Sequence, residues 1–149
     1  MFYFKQYKRA CIVLVMVAFS VLFIGCGRGM FPPEWGERLK YEGSDLFYTS
    51  AITESEARKL GDYLLESGFF QKDNTVTTQI TKEGDVYLFR MVVKGDKGED
   101  MEFLEKVGIF AAQLSRYVFD GKQVGIHLCD KQFKTTETVT FLIEEDSQE

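Results

Sequence analysis

The stretch Val86-Tyr87-Leu88-Phe89-Arg90-Met91-Val92-Val93-Lys94 decides the fold. Two-residue alternation puts Tyr87, Phe89, Met91 and Val93 on one side and Val86, Leu88, Arg90 and Val92 on the other. Both sides are largely apolar, so the run predicts a central strand with something covering each face. Upstream, residues 75–81 have a strand's β-branched content, and Lys82-Glu83-Gly84-Asp85 supplies a hairpin signal between the two.

Outward from this hairpin the chain alternates helix and strand signals. Residues 46–50 (Leu46, Phe47, Tyr48, Thr49, Ser50) predict a short strand. Thr53 followed by Glu56 makes a capping-box pattern, and Ala57, Leu60, Leu64 and Leu65 then share one helical face. The strongest helix signal is Phe103, Leu104, Val107, Phe110, Ala111, Leu114, Tyr117 and Val118, which keeps the i, i+3, i+4, i+7 spacing throughout. Residues 124–129 predict a fourth strand and 135–143 a fifth.

The order β-α-β-β-α-β plus one strand predicts an α+β domain over residues 45–143. The expected arrangement is a ferredoxin-like plait: an antiparallel sheet with both helices on one face. Right-handed crossovers would then place the first and third of these strands in the middle. Residues 26–44, with Pro32-Pro33 and several glycines, read as an anchor and flexible tether, and residues 144–149 as a solvated acidic tail. At full extension an 18-residue tether would reach roughly 60 Å.

Ahead of the tether, Lys5, Lys8 and Arg9 precede a predominantly apolar run from Ala10 to Ile24, and Gly25-Cys26-Gly27 closes it. The run is shorter than the ~20 residues that span a bilayer. Basic, apolar and small-residue-plus-cysteine segments in that order read as an export signal. This end of the chain resembles the bacterial lipoprotein precursors. The resemblance implies removal of residues 1–25, diacylglycerol on the Cys26 sulfur with a further acyl group such as palmitate on its amine, and residence on the outer side of a bacterial membrane. Gly27, where the family's inner-membrane members often carry Asp, implies the outer membrane in a two-membrane cell.

The chain carries 18 basic and 23 acidic residues; loss of Lys5, Lys8 and Arg9 with the signal would move its formal charge from −5 to −8. That balance argues against nucleic acid as a partner and against any grip on anionic head groups beyond the lipid itself. Beyond Cys26 the only cysteine is Cys129, so the domain has no internal disulfide framework. Trp35, the only tryptophan, reads as an aromatic resting on the domain or at a head-group interface, or else as a partner anchor.

His127, the only histidine, and Cys129 sit two apart on a predicted strand and share a face. They are the candidates for a metal or small-ligand site, although a closed zinc site asks for about four ligands. A catalytic Cys–His pair would further need an orienting group and an oxyanion hole, which the sequence does not mark. Val86, Leu88, Arg90 and Val92 form the candidate interface if helices cover only the other side of the sheet. No cofactor motif is present. The sequence thus points to a lipid-anchored, non-catalytic interaction module meeting a second copy or another envelope protein. A domain responding to metal or a small ligand through His127 and Cys129 is the alternative.

Overall fold

A hairpin begins the domain. In the computed structural model, which describes residues 31–95 and 99–140, strand β1 (Glu37–Tyr41) pairs antiparallel with β2 (Ser44–Tyr48). The Glu42-Gly43 turn between them has φ of +44° and +90°. Two consecutive positive-φ residues make the turn whose twist suits a hairpin. The tether expected through residue 44 therefore ends sooner, because Glu37–Tyr41 is part of the sheet. Cys26 and the proposed signal, the last residues of the expected fifth strand and the acidic tail lie outside the described residues.

Helix α1 (Glu54–Glu66) follows, then β3 (Thr77–Glu83), β4 (Val86–Val92), helix α2 (Met101–Tyr117), β5 (Val124–Cys129) and β6 (Thr135–Thr140). Thr53 caps α1 as its sequence predicts: its Oγ1 accepts from the Glu56 amide at 3.3 Å, and Glu56 Oε2 accepts from the Thr53 amide at 2.8 Å. Glu56 also accepts from the Tyr87 hydroxyl at 2.6 Å, tying the helix start to β4. That bond, helped by burial, pushes the Tyr87 phenol up to about 12. Burial alone would raise the Glu56 carboxyl, but the Thr53 and Tyr87 hydrogen bonds hold it below the usual range.

The class is α+β, with both helices on one face of a six-stranded sheet. Ala57, Leu60 and Leu64 of α1 and Val107, Ala111 and Leu114 of α2 pack on Leu46, Ile80, Tyr87, Phe89, Val124 and Ile126. Phe69 and Phe110 stack with centroids 5.0 Å apart, and Tyr63 stacks on Tyr117 at 6.2 Å, closing the seam beside the two helices. Each fully buried side chain of this size contributes roughly 1.5–3 kcal/mol.

The strand order corrects the expectation. The sheet is mixed and runs β1-β2-β3-β4-β5-β6, with β2–β3 and β4–β5 parallel. The physical reason lies at the edges. β1 occupies one side of β2, and β6 occupies one side of β5. Neither strand has two free edges, so neither can take a central place between non-sequential neighbours. The β2–β3 and β4–β5 pairs point in opposite directions because β3 and β4 form a hairpin. With both helices on one face, the two crossovers must then have opposite hands, and one of them departs from the usual right-handed rule.

Replacing Thr53 with Ala removes one half of the capping box directly and leaves Glu56 without its partner hydroxyl. We expect a loss of about 1 kcal/mol in unfolding free energy, read from urea denaturation followed by circular dichroism. An unchanged midpoint would mean that the box is not carrying the helix start.

Candidate functional site

The helix-free face of the sheet gathers every residue singled out for function within the described chain. Cα register puts Phe47, Gln79, Arg90 and His127 in one row across β2, β3, β4 and β5. Val86, Leu88 and Val92 lie on the same face as Arg90, and Cys129 on the same face as His127, by strand alternation. The face is partly covered. A 3-10 turn, Pro33–Trp35, crosses it from the N-terminal side. Trp35 meets Phe47 and Phe133 edge-on, with centroids 5.2 and 4.9 Å apart.

Gly36 allows this crossing. Its φ is +83°, and a Cβ there would stand 2.1 Å from the Tyr48 carbonyl oxygen. Any side chain would push the 3-10 turn off the sheet. Trp35 thus packs on the domain, as one of its two plain readings from sequence had it.

Beneath the turn lies Gln79, a polar side chain that is 1% exposed. Its Nε2 donates to the carbonyls of Glu34 and Trp35 at 3.1 and 3.0 Å. Its Oε1 accepts from Arg90 Nη1 at 2.7 Å. Arg90 Nη2 in turn donates to the Phe133 carbonyl, and its guanidinium lies over the Phe133 ring at 5.9 Å. Arg90 therefore neither sits free for an anion nor pairs with a carboxylate among the described residues. It bridges the β5–β6 turn to the N-terminal turn through Gln79. Only its Nε is buried without a hydrogen-bond partner among the described residues.

His127 and Cys129 share a face, as expected, and meet through Thr135. The Thr135 hydroxyl lies 3.3 Å from His127 Nδ1 and 3.9 Å from Cys129 Sγ. Cys129 is fully buried, and burial pushes its thiol up, with Arg90 and Thr135 pulling back only in part. Burial, then the Arg90 charge, lowers the His127 imidazole. The imidazole is thus neutral at pH 7 and the thiol protonated, which suits packing and hydrogen bonding better than nucleophilic attack or thiolate ligation. Among the described residues no group of three or more His, Cys, Asp or Glu is placed to hold a metal.

The candidate interface residues fare differently from one another. Leu88 is 9% exposed, whereas Val86, Arg90 and Val92 are half-buried. The helix-free face is therefore not a bare apolar sheet. An open cleft of about 900 Å³ at the carboxyl ends of β4 and β5 went unmarked in the sequence; Val93, Phe103, Cys129 and Thr136 are among its walls, with Lys94 and Lys131 at its border. Nothing in the spacing of those residues announces it, since they come together from four separate segments.

The model of the AF_1994_N family N-terminal domain matches residues 38–140, well over half of the chain. The chain belongs to this family. The matched span opens inside β1 and closes on the last described residue of β6, so the AF_1994_N domain coincides with the six-stranded sheet and its two helices. No curated protein and no solved structure matches the chain.

Gln79→Leu keeps the volume but strands the carbonyls of Glu34 and Trp35 and one nitrogen of Arg90. Unsatisfied buried groups cost about 1–3 kcal/mol each. We expect a loss of roughly 2–4 kcal/mol together with a red-shifted Trp35 emission in the native baseline. A variant with wild-type emission and midpoint would show that the amide is not what holds the turn.

Proposed function

We propose that the chain is a lipid-anchored protein of the bacterial cell envelope whose domain binds rather than catalyses. The observation that carries the anchor is the order of basic residues, apolar run and Gly25-Cys26-Gly27 ahead of a folded domain. Cys26 is the acylated residue in this reading, and the domain faces away from the cytoplasm, on the outer membrane where the cell has two. Among the described residues no helix is long and apolar enough to cross a membrane.

Binding rather than chemistry is favoured by what has become of the reactive side chains. Cys129 is a buried, protonated thiol, His127 is hydrogen-bonded through Thr135, and Arg90 is occupied by Gln79 and Phe133. The contact surface in this reading is the helix-free face around Val86, Arg90 and Val92. The alternative, a metal- or ligand-responsive site at His127 and Cys129, draws on their shared face. It conflicts with the raised thiol pKa, because a soft metal takes the thiolate.

The test is intact mass of the full-length protein extracted from bacterial membranes. The expected species begins at Cys26 and carries acyl groups, and Cys26→Ala abolishes both the processing and the membrane fraction. An unmodified chain that begins at Met1 would overturn the reading.

A further inference from the structure

The N-terminal turn limits how far the domain can stand from its anchor. Trp35 is held between Phe47 and Phe133, and Gln79 binds the Glu34 and Trp35 carbonyls. Residues from Pro33 on are therefore part of the domain, and only residues 27–32 link it to Cys26. At about 3.3–3.6 Å per residue, this link spans roughly 20 Å at most, far less than the reach expected of a tether running to residue 44. The chain also leaves the domain from a defined place, the turn lying across the helix-free face.

From these two constraints we infer that the helix-free face is apposed to the bilayer, and that its partner is the lipid head-group layer rather than a second copy or another protein. The inference rests on acylation of Cys26.

The charge of that face does not oppose the placement. Strand alternation assigns Arg38, Lys40 and Arg90 to it, against Asp45 and Glu83. Arg38 and Asp45 pair at 2.7 Å and Arg90 is taken up by Gln79 and Phe133, which leaves Lys40 against Glu83 and the exposed Glu34 of the turn. The face thus carries little net charge on a chain whose processed form has a formal charge of −8. The helices carry Glu54, Glu56, Asp62, Glu66, Glu102 and Glu105 against Arg58, Lys59, Lys106 and Arg116, an excess of two acidic groups. Trp35, half-buried beside exposed Pro32 and Pro33, is the kind of residue that rests at a lipid–water interface.

The experiment uses full-length acylated protein in phosphatidylcholine vesicles that carry an energy acceptor on the head groups. Donor dyes go on single introduced cysteines at exposed positions: Lys40→Cys and Thr138→Cys on the helix-free face, Glu105→Cys and Gln113→Cys on α2. Greater donor loss at 40 and 138 than at 105 and 113 is the expected result. A long Gly-Ser insertion between Gly29 and Met30 is expected to shrink that difference, and its survival would show that the short link is not what sets the orientation. Equal losses at all four sites, or greater loss on the helix, in protein whose mass confirms acylation would overturn the apposition alone. A mass without acyl groups would overturn the anchoring reading and this inference with it.

Discussion

A primary amide that folding removes from water must find partners for both of its ends, and at Gln79 this requirement ties distant parts of the chain together. One end takes the two carbonyls of the N-terminal turn, and the other takes the Arg90 guanidinium, which reaches on to the β5–β6 turn. Three segments far apart in sequence are thereby joined across one face. Each hydrogen bond contributes only about 0.5–1.5 kcal/mol net, but breaking one leaves buried groups unpaired at greater cost. The network accordingly fixes geometry more than it adds stability. It places Trp35 against Phe47 and Phe133, and it turns the chain's entry into a fixed feature of the sheet.

The same logic governs the strand order. β1 and β6 each close a hairpin onto a neighbour, and an edge once paired cannot accept another strand. Sequential order follows, with one crossover of the less usual hand held by two helices that share a single core. The helices gain their packing on one face, while the other face is covered by turns and by the buried polar row. What remains exposed on that second face is of mixed polarity, unlike the apolar centre of a dry protein interface.

Much of this was legible in the sequence. The Thr53–Glu56 box, the apolar stripe of α2, the central position of β4 and the α+β class all followed from local rules that tertiary context did not override. β1 was not legible. Its turn is Glu42-Gly43, and a glutamate at positive φ is a weak signal beside Asn-Gly, while Arg38 and Lys40 dilute the strand pattern. Strand order was hidden for a related reason: it depends on which edges are free, and the missed hairpin had taken one. Gln79 was invisible because a glutamine among threonines reads as surface, and only the covering turn makes it buried. Arg90, read from sequence as an interface residue, has an amide and a backbone carbonyl for partners, which no local spacing marks. His127 and Cys129 do share a face, but burial takes from them the ionisation that a reactive pair would need.

The fixed entry of the chain requires the N-terminal turn to be part of the domain's cooperative core. Urea unfolding followed in parallel by Trp35 fluorescence and by circular dichroism tests this directly, since Trp35 is the only tryptophan. The two transitions should coincide, as for a single two-state unit. A fluorescence change that is complete before the secondary structure melts would contradict the account, because the turn would then be detached from a sheet that folds without it.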